Sequence, residues 1–253
     1  MARSGRRIVS LTMNEVMLVT GGAQRLGAAI VRCLHEAGYR VIVHCHRSRD
    51  AANALTAELN GARADSALAL SADLGDPDAL RELIKHAAAR WGRLDGLINN
   101  AAVFRPTSLA DESPADWSAL MDINLRAPFL LSQAAHPWLM AQGGVIVNIT
   151  DIYAERPKAR HAVYSASKAG LAGLTRALAR DLGPEVRVNG VAPGAILWPE
   201  MGDAVEQSRL LNRTPLGRPG DPADIAGAVL YFLRAPYVTG QIIAVDGGRS
   251  VVD

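Results

Sequence analysis

Two residues four positions apart, Tyr164 and Lys168, could carry out proton chemistry together. They lie in the helical pattern that follows Pro157, where a spacing of four places two side chains on one face, one turn apart. An ammonium close to a phenol favours the phenolate, and it lowers the pKa of the tyrosine hydroxyl, which is otherwise about 10. The pair therefore predicts proton transfer near neutral pH.

A carboxylate precedes this pair at Asp151, thirteen positions before Tyr164. A carboxylate beside a phenol can share and relay a proton, and it accepts hydrogen bonds from N–H groups of a substrate. An isolated aspartate is also typical of a helix N-cap or of a solvated surface. We expect Asp151 to act together with Tyr164 and Lys168.

A glycine-rich turn occupies Thr20–Gly27, with the sequence TGGAQRLG. It joins the apolar run Val16–Thr20 to a helical pattern at Leu26–Ala37, which is the context that a phosphate-binding turn requires. Glycines let the backbone approach a pyrophosphate, and the helix N-terminus supplies unpaired N–H donors. The turn predicts a dinucleotide site, whereas a plain loop is the alternative.

The polar residues after the second apolar run, His46, Arg47 and Ser48, indicate which nucleotide binds. A site that prefers NAD carries Asp or Glu about 20 residues beyond the glycines, where it holds the ribose hydroxyls. Here a cation stands instead. Arg47 can fork onto a 2′-phosphate while its neighbours add hydrogen bonds, so the sequence favours NADPH over NADH. The alternative is a solvated turn that caps the next helix.

Short apolar runs alternate with helical patterns along the chain, and this alternation predicts the fold. The strands are predicted at Val16–Thr20, Arg40–His44, Ala67–Leu70, Gly96–Asn99, Val145–Thr150, Arg187–Ala192 and Gln241–Val245. The helices are predicted at Leu26–Ala37, Arg49–Leu59, Pro77–Trp91, Pro114–Met121, Leu125–Ala141, Val163–Leu182 and Pro222–Leu233. Such alternation implies βαβ units with right-handed crossovers. We predict an α/β protein: a single doubly wound Rossmann-type domain with a seven-stranded parallel sheet flanked by helices.

Composition narrows the possible functions. The chain has 253 residues and a formal net charge of +2, with 49% hydrophobic and 21% charged residues. No apolar run approaches the roughly 20 residues of a membrane span, and dispersed basic residues argue against nucleic-acid binding. Two cysteines, Cys33 and Cys45, show neither disulfide nor metal spacing. We therefore predict free thiols, no metal site and a reducing, cytoplasmic location.

Two segments depart from the alternating pattern. Residues 1–13 are basic and polar and predict a disordered extension, since the apolar stretch Ile8–Leu11 is too short for a signal peptide. Residues 14–253 are predicted to form the single dinucleotide-binding domain. Within it, residues 194–222 are interrupted by prolines and predict a substrate lid, in which Trp198 fits a lid contact and a core position equally.

Across Val16 to Val252 the chain resembles the short-chain dehydrogenase/reductase family. The family's landmarks occur in order at Asp73-Leu74, Asn99-Asn100-Ala101-Ala102, Asn124, Pro193-Gly194 and Asp246-Gly247-Gly248. The resemblance implies that the first pair contacts adenine, that the second run lines the adenosine side and that Pro193-Gly194 lies beneath the nicotinamide. It also implies that Asn124 kinks its helix and holds a water that links Lys168 to solvent.

Departures from the family pattern carry the finer information. Asp151 stands where the generic family has a serine, and Arg25 stands where the turn usually has a second glycine. Together with His46–Ser48 and Phe104, these departures resemble the pteridine reductase branch. That resemblance implies that Arg25 contacts cofactor phosphate and pterin, and that Phe104 stacks the pterin against the nicotinamide. Semi-buried packing is the alternative for Phe104.

The resemblance thus implies an NADPH-dependent reductase that transfers hydride to a C=N bond of a dihydropterin or dihydrofolate. The alternatives are a carbonyl reductase of the same family, acting on 3-oxoacyl thioesters or sugars, and a catalytically silent nucleotide sensor on this fold. The residues expected to act in catalysis are Asp151, Tyr164, Lys168 and Asn124. Those expected to bind substrate are Arg25, Phe104, Asp151 and Tyr164. Those expected to bind cofactor are Gly21, Gln24, Arg25, Leu26, Gly27, His46, Arg47, Ser48, Asp73, Leu74, Asn100, Ala101, Ala102, Tyr164, Lys168, Pro193 and Gly194.

The family resemblance also implies an oligomer. A homotetramer is expected, built by the long helices predicted at Leu125–Ala141 and Val163–Leu182 and by the C-terminal region. A small pterin or folate is the expected partner of the site, with neither nucleic acid nor membrane involved.

Overall fold

The computed structural model describes residues 14–107, 109–110, 113–196 and 204–252. One sheet of seven parallel strands organises them, in the order β3-β2-β1-β4-β5-β6-β7. The strands are β1 (Val16–Val19), β2 (Arg40–Cys45), β3 (Ala67–Ser71), β4 (Gly96–Asn99), β5 (Val145–Ile149), β6 (Arg187–Pro193) and β7 (Ile242–Val245). This arrangement confirms the predicted fold class and the predicted number of strands.

Helices cover both faces of the sheet, as parallel strands require. They are α1 (Arg25–Glu36), α2 (Arg49–Ala62), α3 (Pro77–Trp91), α4 (Pro114–Met121), α5 (Ala127–Gln142), α6 (Ala162–Asp181), α7 (Ala204–Asn212) and α8 (Pro222–Arg234). A π-helical segment at Asp122–Arg126 joins α4 to α5, and 3₁₀ turns occupy Ile152–Ala154 and Arg249–Val251. None of the helices in the described part of the chain is long and apolar enough to cross a membrane.

Alternation along each strand builds two hydrophobic cores. In β1, Met17 and Val19 face a core with α1, α2 and α8, whereas Val16 and Leu18 face a core with α3, α5 and α6. All four side chains are essentially excluded from solvent. A strand that is buried on both faces has a continuous apolar sequence. The strands could therefore be predicted well from the sequence.

The sheet order reverses between β1 and β4, and this reversal decides where a ligand can bind. The crossovers after β1 and β4 leave the sheet in opposite directions, so a crevice opens beyond the carboxyl ends of these two strands. β1 pairs with β4 through Val19 and Ile98, and β4 pairs with β5 through Ile98 and Val147. The loops that follow these strands therefore converge on one edge.

The observed organisation differs from the predicted one at α5 and at α7. The helix predicted at Leu125–Ala141 begins instead at Ala127, because the π-helical segment precedes it. The helix α7 was not predicted, and it lies inside the segment 194–222 that was predicted as a lid. Residues 1–13, and residues 197–203 with Trp198, lie outside the described residues, so the extension and the lid stay predictions.

Candidate active site

A cleft of about 450 Å³ lies beyond the carboxyl ends of β1, β4 and β5. It is lined by most of the residues that the sequence singled out, from six separate parts of the chain. These are Gly21, Gln24, Arg25, Leu26, Gly27, His46, Ser48, Asn100, Ala101, Ala102, Phe104, Asp151, Tyr164, Lys168 and Pro193. The fold therefore brings the glycine-rich turn and the Tyr-x-x-x-Lys pair to one place.

The remaining predicted residues lie around this cleft without lining it. Arg47 is exposed on the turn after β2, and Asp73 lies 3.8 Å from the ring of His46. The side chain of Leu74 is buried in the core. Gly194 packs against Asp246, where an added Cβ would lie 2.6 Å from the Asp246 Cβ.

The glycine-rich turn is held in a form that accepts an anion. Gly21 has φ +60°, and a Cβ on Gly27 would lie 2.0 Å from the Gly21 carbonyl oxygen. Asn100 Nδ2 donates to the carbonyl oxygens of Thr20 (2.9 Å) and Gly21 (3.2 Å), which joins the turn to the end of β4. The helix can approach the turn this closely only because residue 27 is glycine.

The N-terminus of α1 carries no side-chain cap. An aspartate or serine side chain caps α3, α4 and α8, whereas Gln24 makes no capping hydrogen bond at α1. The first turn of α1 contains no acidic residue. Its N–H groups and partial positive charge therefore face the cleft and fit a phosphate.

Arg25 adopts a conformation that is unusual for a non-glycine residue. Its φ is +50°, at the first residue of α1, where the generic family has a glycine. A left-handed conformation costs a residue with a Cβ on the order of 1 kcal/mol or more. This strained backbone holds the guanidinium-bearing side chain at the rim of the cleft, where Arg25 is exposed.

His44, a residue without a predicted role, positions the turn. The Gly21 N–H donates to His44 Nδ1 (3.1 Å), so Nε2 carries the hydrogen and donates to the Ala72 carbonyl oxygen (3.2 Å). The ring is almost fully buried, and burial lowers the pKa of His44 to about 4. A neutral imidazole therefore links the phosphate turn to the end of β3. Its place at a strand end was visible in the sequence, but its hydrogen bonds were not.

Asp151 and Tyr164 form a short hydrogen bond in the cleft. The Tyr164 hydroxyl donates to Asp151 Oδ2 across 2.6 Å, while the other carboxylate oxygen accepts from the Tyr153 N–H at 2.9 Å. Asp151 is thus both the partner of Tyr164 and the cap of the turn Ile152–Ala154, so the two interpretations of this residue hold together. Burial raises the pKa of Asp151, although its hydrogen bonds and Lys168 oppose the shift.

The expected lowering of the Tyr164 pKa is wrong for this structure. Burial and the negative charge of Asp151 raise the pKa of Tyr164 above its usual value, because both disfavour a phenolate. Lys168 Nζ lies 5.9 Å from the centroid of the Tyr164 ring and donates to the Ile149 carbonyl oxygen at 2.8 Å. The phenol is therefore protonated and donates to Asp151.

Lys168 is buried beneath this pair. Burial lowers its pKa from 10.5 to about 8, although the Asp151 carboxylate favours the charged form. The ammonium is thus held by one backbone carbonyl and by the field of Asp151, at the inner wall of the cleft. A lysine with a pKa near 8 is poised to lose or regain its proton close to neutral pH.

Phe104 presents an aromatic ring to the cleft. Its side chain is 53% exposed, yet its ring stacks on His161 with centroids 4.8 Å apart and meets the Tyr164 ring edge-on at 4.7 Å. Two aromatic neighbours therefore fix the orientation of a ring whose surface remains open. Phe104 can therefore both pack against its neighbours and stack on a ligand. His161, which was not predicted from the sequence, packs against the Phe104 ring.

Asn124 lies behind the reacting groups, in the π-helical segment. Its side chain accepts from the Val103 N–H (2.8 Å) and donates to the Val103 carbonyl oxygen and to Ser167 Oγ (3.0 Å each). The helix irregularity implied for Asn124 is present, because the segment Asp122–Arg126 is π-helical. In this structure Asn124 ties the loop that carries Phe104 to α6.

A family model described as enoyl-(acyl carrier protein) reductase matches residues 21–250. The chain belongs to the short-chain dehydrogenase/reductase family. The matched range contains the glycine-rich turn, Asp151 and the Tyr164–Lys168 pair. It therefore includes every part of the cleft described above.

Relatives of this short-chain dehydrogenase/reductase are named for carbonyl chemistry. A 3-oxoacyl-(acyl-carrier-protein) reductase of Synechocystis sp. is 36% identical over 239 residues, covering 92% of this chain and 96% of that protein. Carbonyl reductase family member 4 of Danio rerio is 34% identical over 241 residues, covering 95% of this chain and all 100% of that protein. These names support the carbonyl alternative better than the pteridine reductase branch.

A solved structure of similar fold holds a nicotinamide cofactor. The crystal structure of a blue fluorescent protein from a metagenomic library, in complex with NADPH, matches with a TM-score of 0.87 at 38% identity. The match covers 93% of this chain and 97% of that chain.

The described residues of this family member hold no group of three or more His, Cys, Asp or Glu side chains arranged to bind a metal ion.

Proposed function

We propose that this protein is an NADPH-dependent reductase of a dihydropterin or dihydrofolate C=N bond. The observation that carries the proposal is the carboxylate of Asp151 in the cleft, hydrogen-bonded to Tyr164 at 2.6 Å. An ionised carboxylate accepts hydrogen bonds, whereas a substrate carbonyl oxygen needs a donor. The amino group and ring N–H groups of a pterin are donors that suit this acceptor.

The residues around the cleft fit a nicotinamide dinucleotide. The uncapped N-terminus of α1 and the close packing of Gly27 on Gly21 leave room and N–H donors for a pyrophosphate. His46 and Ser48 line the same cleft, and Arg47 lies exposed between them. A guanidinium suits a 2′-phosphate, and the solved relative in complex with NADPH supports the same choice.

NADPH, when bound, supplies the hydride. The protein supplies the proton and the orientation of the substrate. Phe104 would hold a flat ring by stacking, since His161 and Tyr164 already fix its own plane. The Tyr164 hydroxyl would pass its proton to the ring nitrogen that becomes an amine. Asp151 would then take up a proton from solvent and pass it to the Tyr164 oxygen, which lies 2.6 Å from its carboxylate.

A second candidate function is the reduction of a carbonyl group in a 3-oxoacyl thioester or sugar. The names of the relatives favour it, since the Synechocystis protein is a 3-oxoacyl-(acyl-carrier-protein) reductase. Tyr164 could donate to a carbonyl oxygen as it now donates to Asp151. The adjacent carboxylate argues against this candidate, because it would repel the oxyanion that develops on reduction.

One assay distinguishes these functions. NADPH oxidation is measured with dihydrobiopterin, dihydrofolate and acetoacetyl-CoA, using the native protein, Tyr164→Phe and Asp151→Ser. We expect turnover of the two dihydropterins, and a loss of about 10²-fold or more in kcat in each variant, the usual scale for a general acid–base group. The matched control is Glu155→Ser, an exposed acid near the cleft that lies 3.7 Å from Arg176.

Each outcome of the NADPH oxidation assay supports a different candidate function. Turnover of acetoacetyl-CoA alone, retained in Asp151→Ser, would establish the carbonyl candidate and end the pterin proposal. NADPH binding without turnover of any of the three substrates would favour the nucleotide sensor. Loss of pterin turnover in Asp151→Ser with Glu155→Ser unaffected is the result that we expect.

We also expect a homotetramer, as the family resemblance implied. Helix α5 exposes Phe129, Trp138 and Met140, each at least 38% accessible in the single chain. Large apolar side chains on one exposed helix are typical of a surface that another subunit covers. Sedimentation velocity tests this expectation, and a monomer at micromolar concentration would contradict it.

A further inference from the structure

A second cleft of about 460 Å³ lies beside the reaction cleft and is strongly cationic. Its walls are supplied by the 3₁₀ turn after β5, the loop that follows it, the end of α7 and the C-terminal turn. Its lining includes Arg156, Lys158, Arg213 and Arg249, together with the ring of Tyr153. None of these side chains lines the cleft that holds Tyr164 and Lys168.

Cationic side chains dominate the charged lining of this cationic cleft. Among the described residues that line it, no side chain is acidic. Arg249 approaches the Tyr153 hydroxyl at 3.5 Å and lies 5.8 Å from the Tyr153 ring centroid, which holds the guanidinium in place. Several cations around one concavity concentrate positive potential there and attract anions.

Lys158 lies between the cationic cleft and the place where a substrate ring would lie. Lys158 Nζ lies 5.7 Å from the centroid of the Phe104 ring and 5.9 Å from that of the Tyr153 ring. Phe104 lines the reaction cleft and Tyr153 lines the cationic one. A substrate stacked on Phe104 would therefore direct any extended tail past Lys158 towards Arg249.

We infer that the cationic cleft binds an anionic tail of the substrate, namely the carboxylates of a folate glutamyl tail. The inference rests on the proposed function, since it assigns the substrate as a folate rather than a simple pterin. Guanidinium groups pair with carboxylates in a bidentate manner, and Tyr153 offers a surface for the aromatic linker of a folate. The phosphate of a thioester's phosphopantetheine arm has the same anionic character, and the test separates the two.

The test compares substrates that share a pterin ring and differ in their tails. KM is measured for dihydrobiopterin, which is uncharged in its side chain, and for dihydrofolate, in the native protein, Arg249→Gln and Lys158→Gln. We expect KM for dihydrofolate to rise about tenfold in each variant, the scale of one charge-assisted contact. KM for dihydrobiopterin should change by less than about twofold, which also shows that the variants are folded. Arg81→Gln, an exposed cation on α3, is the matched control.

Salt provides an independent measurement. KM for dihydrofolate in the native protein should rise with ionic strength, because exposed charges are screened over about 10 Å at 0.1 M salt. The rise should be smaller in Arg249→Gln. A KM for dihydrofolate that is insensitive to salt and to both substitutions overturns the inference, while pterin turnover leaves the proposed function standing.

The inference and the proposed function fail in different ways. If neither pterin is reduced, the proposed function fails, and acetoacetyl-CoA is compared with acetoacetyl-N-acetylcysteamine, which lacks phosphates. A rise in KM for the CoA thioester alone, in Arg249→Gln and Lys158→Gln, supports an anionic-tail site filled by phosphate and overturns the folate assignment. Equal KM changes for both thioesters overturn the site itself.

Discussion

The hydroxyl of Tyr164 lies 2.6 Å from Oδ2 of Asp151 and donates to it. One proton is therefore shared by two groups whose pKa values burial raises, and the negative charge of Asp151 raises that of Tyr164 further. In this arrangement the phenol is a proton donor rather than a phenolate. The buried ammonium of Lys168 is the positive charge that balances the pair.

Activity should therefore depend on the charge of Lys168. Burial lowers the pKa of Lys168 to about 8, so the ammonium is present below that pH and is lost above it. We expect kcat/KM for dihydrobiopterin to fall as the pH rises through about 8. In Lys168→Arg the side chain stays charged, since a guanidinium does not deprotonate in this range. The residual kcat/KM should therefore persist to higher pH.

A pH–rate profile from pH 6 to 10 checks this. A profile that stays level through pH 9, or a limb that does not move in Lys168→Arg, would contradict the role of Lys168. The pH dependence of the free energy of unfolding independently tests the direction of the Lys168 pKa shift. Because the folded protein binds this proton less tightly than the unfolded chain, the contribution of Lys168 to stability should rise between about pH 8 and 10.5.

Stability at acid pH should depend on His44. Its pKa is about 4 in the folded protein and 6.5 in the reference state, because burial disfavours the imidazolium. The unfolded chain therefore takes up the proton first, and stability present above pH 6.5 is lost as the pH falls towards 4. The difference corresponds to about 3 kcal/mol.

Urea denaturation at pH 7, 5.5 and 4 measures this loss. In His44→Asn the free energy of unfolding should be lower at pH 7, because the Ala72 carbonyl oxygen loses its Nε2–H donor, and it should fall less on acidification. His86→Asn, on the exposed face of α3, is the control and should keep the native pH dependence. An identical pH dependence in His44→Asn and the native protein would refute the assignment.

Replacing Arg25 by glycine should have opposite effects on stability and on binding. Glycine adopts φ +50° without the Cβ penalty, so the free energy of unfolding should stay the same or rise by up to about 1 kcal/mol. The Kd for NADPH should rise about tenfold, since a cation at the cleft is lost. Thermal unfolding and fluorescence titration with NADPH give the two quantities.

Arg160→Gly is the matched control for this prediction. Arg160 has φ +60° and is exposed, but it does not line the cleft. It should relieve the same backbone strain without changing the Kd. A tighter or unchanged Kd in Arg25→Gly would show that the strained residue has no part in the site.

A methyl group on Gly27 should disrupt the phosphate turn. The added Cβ would lie 2.0 Å from the Gly21 carbonyl oxygen, so α1 must move away from the turn. We expect Gly27→Ala to lower the free energy of unfolding by about 3 kcal/mol and to abolish measurable NADPH binding. Gly61→Ala, on α2, has no heavy atom within 4 Å of its added Cβ and should be neutral or stabilising. Native-like NADPH affinity in Gly27→Ala would contradict the packing argument.

Local patterns in the sequence were sufficient to predict much of this protein. Strands such as β4 and helices such as α3 have the predicted bounds, because a buried apolar run and a 3.6-residue period are properties of short segments. Strand–helix alternation then predicted the parallel sheet. The turn at Thr20–Gly27 and the pair Tyr164 and Lys168 were identified by spacing alone.

Only the tertiary structure determined the protonation state of Tyr164 and the residues that hold the site in place. The pKa of Tyr164 rises instead of falling because burial and the negative charge of Asp151 disfavour the phenolate, while the Lys168 ammonium is directed to the Ile149 carbonyl oxygen. His44 beneath the turn and the cationic cleft around Arg249 join residues distant in the chain. Solvation and charge depend on every atom packed around a group, so spacing along one segment cannot determine them.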